Sequence, residues 1–318
     1  MVFLGGIDEA GYGPFVGPLV LGVSLFRVHD PEADLWPVLE RSCARKPPRG
    51  DRRLWVDDSK RVKSGPRGRE RLERSVAAFR EVDAPGRDAL DAWLAEPPSG
   101  DARALHAAPW LRELPGALCP DADLDRARLD AAFVRRDLDA AGCELQLFGA
   151  RAVPAGEWNG LLERYRNKGT ANFAVAMECV RLLLERTGDA PLRVELDRHG
   201  GRTRYGAMLA RALRPERIEI HGETGAGSAY TLHFPTRAVE LRFSEGADGR
   251  MLPVALASLA AKQTRERLTD LLNDWFAARI DGLKPTRGYG VDGKRWLAEV
   301  EPRLAALAVE PGLLRRAR

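Results

Sequence analysis

The 318-residue sequence predicts an α/β fold in which a mixed central sheet is flanked by helices, with a helical insertion and a helical C-terminal region. Three observations carry the prediction. Short apolar runs bounded by Gly and Pro open the chain, stretches of helical period then alternate with further short runs, and 44% hydrophobic residues suffice for a substantial core.

Each element follows from local pattern. Val2–Ile7 is a short apolar run, Gly11–Pro14 has turn chemistry, and Phe15–Phe26 is rich in Val and Leu, so the start reads as a hairpin. Arg45–Arg53 is a Pro- and Arg-rich loop. Residues 65–142 change to Ala, Arg, Asp and Leu at helical spacing, broken by Pro97-Pro98 and Pro115. They read as a helical insertion within one catalytic domain spanning 1–318. Cys143–Val153 is another strand, and Trp158–Glu185 has a helical period with a soft break near Gly169. Arg193–Leu196 is a short strand ending at Asp197. Arg217–His221, Ala229–Phe234 and Ala238–Phe243 are three more, and Val254–Phe276 is a long helix. Residues 265–318 form a helical C-terminal extension, amphipathic from Trp296. No internal repeat interrupts this order.

Composition narrows the function classes. No run approaches the roughly 18 apolar residues of a membrane span, and the first residues lack the basic region and apolar stretch of a secretion signal. Cys43, Cys119, Cys143 and Cys179 form no CxxC pair, which disfavours zinc and suits free thiols, so a cytoplasmic protein without membrane contact is expected. A net charge of +4 and a pI near 9.0 are compatible with a polyanionic partner but do not demand one.

Three segments place carboxylates at the end of an apolar strand. Asp8 and Glu9 follow Val2–Ile7, Asp197 follows Arg193–Leu196, and Asp248 comes shortly after Phe243 and just before the long helix. A carboxylate beside apolar strands is costly unless paired or bound to metal. Hard oxygen donors of this kind suit Mg²⁺ or Mn²⁺, and two such ions about 3.5–4 Å apart stabilise the attacking and leaving oxygens of a phosphodiester. Each acid alone is more often a turn or cap residue. Asp8 and Glu9 point to opposite faces if their strand stays regular.

Taken together, the segments resemble the type 2 ribonucleases H, chiefly ribonuclease HII with some features of HIII. Gly6-Ile7-Asp8-Glu9-Ala10-Gly11-Tyr12-Gly13-Pro14 is similar to that family's GIDEAGRGP opening, and Asp57-Asp58-Ser59-Lys60 to its DSK segment. Asn167-Lys168 through Met177 resembles the helix before the third acid, and Leu196-Asp197 the strand that carries it. Asp248 has the spacing of the fourth acid, Ala257-Ser258 through Arg265 resembles the ASIxAKxxR helix, and Gly288-Tyr289-Gly290 the late GYG element. The resemblance covers most of the chain apart from the insertion and the last twenty or so residues. It implies a ribonuclease H-like fold and an endoribonuclease that cuts the RNA strand of RNA/DNA hybrids, and DNA 5′ to single embedded ribonucleotides, by a two-metal mechanism leaving 3′-hydroxyl and 5′-phosphate ends. Asp8, Glu9, Asp197 and Asp248 would be the catalytic metal ligands. Gly11, Tyr12, Gly13, Ser59, Lys60, Ser258, Lys262, Arg265 and Tyr289 would bind substrate.

Ser258, Lys262 and Arg265 fall at i, i+4 and i+7 of one helix, a face suited to gripping phosphates. The Gly11–Gly13 turn would let the main chain approach a sugar and read its 2′-hydroxyl, and Tyr289 would stack on a sugar. Tyr12 stands where the family has arginine, and the insertion is foreign to it, which marks a divergent branch. A monomer without an obligate protein partner is expected. Two alternatives stay open: a nucleic-acid-binding protein that keeps the fold without turnover, and an acid-cluster nuclease acting on DNA.

Overall fold

In the computed structural model, which describes residues 1–30 and 32–317, the apolar runs assemble into a seven-stranded mixed sheet. Its strands are β1 (Val2–Ala10), β2 (Leu19–Val28), β3 (Glu144–Val153), β4 (Leu192–Asp197), β5 (Arg217–Glu223), β6 (Gly227–His233) and β7 (Ala238–Ser244). The spatial order is β3-β2-β1-β4-β7-β6-β5. β4 runs parallel to both β1 and β7, and the outer pairings on either side are antiparallel.

Helices cover both faces, which is the class expected from the sequence. The layer on one side holds α1 (Gly68–Asp83), α2 (Leu90–Ala95), α3 (Ala102–Ala107), α4 (Leu124–Ala140), α8 (Leu252–Ala277) and α9 (Gly290–Val300). The other side holds α5 (Ala155–Tyr165), α6 (Lys168–Thr187) and α7 (Gly206–Leu213). β2 shows why its sequence is almost wholly apolar. Leu19, Leu21, Val23 and Leu25 enter one core while Val20, Phe26 and Val28 enter the other, so both faces are buried.

The insertion packs into the same core as the sheet. The fully buried Trp93 donates its indole N–H to Thr264 Oγ1 of α8 at 2.8 Å, and Gln263 of α8 donates to the Leu118 carbonyl at 2.8 Å. α8 runs unbroken across residue 265, so the start expected for the C-terminal extension falls inside a helix. No Gly or Pro interrupts it there, and Leu268, Leu271 and Leu272 continue its buried face. Arg318, at the end of that expected extension, lies outside the described residues. Several short elements escaped the sequence pattern, among them α7, the helical turns Leu35–Val38 and Ser59–Val62, and a two-residue parallel ladder between Cys43–Ala44 and Leu54–Trp55. The break expected near Gly169 lies slightly earlier, where Arg166 adopts φ 53° and the Asn167 side chain caps α6 by accepting from the Thr170 N–H.

Candidate active site

The strand ladder decides where the acids meet. β1 continues through both Asp8 and Glu9, which pair with Gly22 and Leu21 of β2. Ile7 lies opposite Leu196 in the parallel pair β1–β4, so the next residue of each, Asp8 and Asp197, emerges at the carboxyl end of adjacent strands. Asp197 in turn pairs with Ser244 of β7, after which the chain turns through Ala247–Gly249 and carries Asp248 toward α8. The Ala247 N–H donates to the Asp197 carboxylate at 3.3 Å, which ties that turn to the strand end. Three neighbouring strands therefore deliver four carboxylates to one sheet end.

Regular alternation splits the adjacent pair. Asp8 faces α8, where the nearby Ser258 hydroxyl favours its charged form, and Glu9 faces α6, where the fully buried Asn172 amide does the same. α8 reaches Asp8 only because the sheet is bare of side chains beneath it. A Cβ on Gly22 would stand 1.8 Å from the Ala257 carbonyl oxygen, and one on Gly6 would stand 2.2 Å from the Pro253 backbone. Ser24, the β2 residue opposite Gly6, donates to the Pro253 carbonyl at 2.8 Å. The Ser258 hydroxyl donates to Ser59 Oγ at 3.0 Å, which draws in the helical turn Ser59–Val62, itself capped by the Asp58 carboxylate accepting from the Lys60 N–H.

The electrostatics are those of crowded, part-desolvated anions. Burial, then Glu9 and Asp197, push Asp8 well above the usual carboxylate range. Burial, then Asp197, raise Glu9 to about 7 against the opposing pull of Asn172 and Lys60. Burial, then Asp58 and Asp197, raise Asp248 to about 6. Asp197 is raised by burial although three backbone N–H groups and Lys60 oppose it. Mutual repulsion links these titrations, so the protons belong to the cluster as a whole. Lys60 is the cation common to Glu9, Asp197 and Asp248.

This donor set fits a hard divalent cation in chemistry and in charge: oxygen ligands only, and an excess of negative charge that a cation would relieve. Asn172 adds a buried amide whose oxygen and nitrogen find no close hydrogen-bond partner among the described residues. The carboxylates are not drawn into a closed cage. Among the described residues no three His, Cys, Asp or Glu side chains converge to ligand distance, in keeping with groups that repel one another.

The remaining residues singled out in the sequence divide into two groups. Ser59, Lys60 and Ser258 stand at the acids. Lys262 is partly exposed and bonds Glu266 at 2.8 Å. Burial would raise Glu266, but Lys262 and Lys63 hold it at about 2. Arg265 lies inward rather than toward solvent: it is fully buried, donates to the Arg287 carbonyl at 2.9 Å, and sits 4.8 Å beneath the Tyr289 ring. The reason is Gly11, whose φ of 91° and missing Cβ leave room for that guanidinium 2.5 Å from where a Cβ would be. Gly13 stands beside Tyr289, which is 42% exposed. The Tyr12 ring packs edge-on against Trp158 with centroids 6.5 Å apart, and Lys168 lies 4.9 Å over it.

Asn172 and Asp58 are parts of the site that sequence reasoning missed. Asp58 stood next to the Ser59-Lys60 pair and is signalled as a helix N-cap; Asn172 has no local signal, because only helix packing brings it to Glu9. His199, next but one to Asp197, belongs to a core instead. It packs against Phe173, Tyr205 and Phe243, and burial lowers its pKa to about 4. Glu245 is exposed and pairs with Arg198 at 2.7 Å.

No protein-family model matches the sequence, and no curated protein does. Among solved structures the chain is similar to the ribonuclease H2 of Pyrococcus horikoshii OT3, at 15% identity over 98% of this chain and 92% of that one, with a TM-score of 0.47. It is also similar to the RNase HII of Archaeoglobus fulgidus, solved in complex with PCNA, at 17% identity over 100% and 95% of the chains with a TM-score of 0.41. The RNase H3 of Aquifex aeolicus gives 13% identity over 98% and 71%, with a TM-score of 0.37. At this distance the likeness assigns no residue a role.

Proposed function

We propose that the chain is a metal-dependent endonuclease of the type 2 ribonuclease H kind. It would hydrolyse the RNA strand of RNA/DNA hybrids, and DNA 5′ to embedded ribonucleotides, leaving 3′-hydroxyl and 5′-phosphate ends. The observation that carries the reading is the set of four carboxylates at the ends of three neighbouring strands, each with its proton affinity raised. Structural acids are normally paired with cations; these are gathered against each other.

Asp8, Glu9, Asp197 and Asp248 are the ligands in this reading. Mg²⁺ or Mn²⁺, when bound, supplies Lewis-acid stabilisation of the charge that develops on the phosphate oxygens. The chain's own groups do the rest. Asn172 and Ser258 hold Glu9 and Asp8 in orientation, and the exposed Lys60 meets a backbone phosphate at the acids. The Gly11–Gly13 turn approaches the sugar with main chain alone, and the exposed edge of Tyr289 offers a stacking surface. The protein acts as a monomer, in the cytoplasm. No helix of the described residues is long and apolar enough to cross a membrane.

The test is cleavage of three labelled duplexes with Mg²⁺ or Mn²⁺: RNA/DNA, DNA with one ribonucleotide, and all-DNA. Cutting of the first two only, abolished by Asp197→Asn, is the expected result. Cutting of all-DNA would move the substrate to DNA, and binding without any cutting would make this a nucleic-acid-binding protein.

A further inference from the structure

The last described residues cross the molecule to reach the Gly11–Gly13 turn. Asn159 of α5 anchors them from both sides: its amide donates to the Gly312 and Arg315 carbonyls at 3.0 and 2.9 Å and accepts from the Ala317 N–H at 2.7 Å. Arg315 forms an antiparallel bridge with Val16, and the Arg316 N–H donates to the Phe15 carbonyl at 2.9 Å. The Arg316 side chain then passes 4.8 Å from the Trp158 ring centre and donates through Nη1 to the Gly11 carbonyl.

This arginine is 2% exposed, and its Nε and Nη2 find no partner among the described residues. Burial, then the neighbouring Arg265, lower its pKa to about 9. A buried cation without a carboxylate is expensive to keep. Its directed side-chain bond among the described residues goes to the turn. On the next peptide, Lys168 Nζ donates to the Tyr12 carbonyl at 3.3 Å. Two cations from distant parts of the chain thus hold two successive carbonyls of one turn. In a planar trans peptide the N–H points opposite to the C=O, so pinning the carbonyls also aims the Tyr12 and Gly13 N–H groups.

We propose that Arg316 is a positioning residue for ribose recognition: by holding the Gly11 carbonyl from behind, it aims the main-chain groups of the turn at the substrate sugar and so sets the preference for a ribonucleotide over a deoxyribonucleotide. Arg316 itself touches no substrate. The proposal rests on the ribonuclease reading of the acid site.

The experiment measures binding of two duplexes, DNA with one ribonucleotide and the same sequence as all-DNA, to full-length Asp197→Asn protein with Mn²⁺. Arg316→Met and Arg316→Lys are made in that background, and thermal unfolding is recorded for each. Asn159→Ala, which loosens the strap without touching the turn, is the second route to the same effect. The ratio of the two dissociation constants should fall about tenfold in Arg316→Met, on the scale of one charge-assisted hydrogen bond. It should fall less in Arg316→Lys, and in Asn159→Ala it should move in the same direction. A merely structural role would weaken both duplexes equally and leave the ratio in place. An unchanged ratio in Arg316→Met and in Asn159→Ala overturns this proposal alone. A parent protein that neither cuts nor prefers the ribonucleotide duplex overturns it together with the ribonuclease reading.

Discussion

Gly22→Ala tests how the acid site is built, through a residue that carries no chemistry. The added methyl would lie 1.8 Å from the Ala257 carbonyl oxygen, while ordinary contact begins at 3.4 Å, so strand and helix must separate by about 1.6 Å there. The obstacle is backbone on a helix whose far face is packed against α1 and α2, so no rotamer change relieves it. Overpacking of a well-filled core typically costs about 1–3 kcal/mol, and the absence of a flexible neighbour puts this case at about 3 kcal/mol or above. At about 2 °C per kcal/mol for a chain of this size, the midpoint of thermal unfolding should drop by about 6 °C or more. Ser258, one residue beyond Ala257, would be drawn from Asp8, so the rate of cleavage should fall even at temperatures where the variant is folded. Urea titration of parent and variant, with cleavage assayed on the folded fraction, measures both effects. A variant as stable and as active as the parent would refute the close approach of α8 to β2 and with it this account of how Ser258 reaches Asp8.

Three further outcomes follow from the same geometry. Glu9 and Asp248 have folded pKa values of about 7 and 6, above their ordinary values, so the folded metal-free protein binds protons that the unfolded chain has released. Their contribution to stability is therefore lost as pH rises from about 5 to 8, and saturating Mn²⁺ should recover the loss; thermal melts across that range with and without metal check it, and a metal-insensitive profile would count against the cluster as a cation site. Glu266 shows the opposite sign, because it is held at about 2 by Lys262 and Lys63: Glu266→Gln should destabilise by about 3 kcal/mol at pH 7, with the difference from the parent shrinking as pH falls below about 4. Trp93→Ala should cost about 3–5 kcal/mol while unfolding remains a single transition, since residues 65–142 share the core of α8; a separate early transition in denaturant would show the insertion to be an independent unit.

What could be read from the sequence was whatever has a short-range cause. Apolar runs, two-residue alternation and helical period located the seven main-sheet strands and the long helices, because burial on one or two faces imprints a local repeat. Chain breakers placed the turns, and acids just past or inside an apolar run stood out because they are costly there. Residues whose reason lies far away in sequence had no such mark. α7 and the small ladder at 43–44 and 54–55 are too short to show a period.

The tertiary structure alone decided the rest. Parallel pairing of β1 with β4, and of β4 with β7, turned three separate strand ends into one carboxylate cluster. Contact of α8 with bare glycines on β1 and β2 put Ser258 beside Asp8, packing of α6 put Asn172 beside Glu9, and the same helix α8 took Arg265 out of solvent and set it under Tyr289. Arg316, about 300 positions from the turn it holds, is the extreme case. The physical reason is common to all: a side chain's cost and chemistry depend on neighbours brought in by long-range pairing and packing, and a linear pattern records only which face must be buried, not what it will meet.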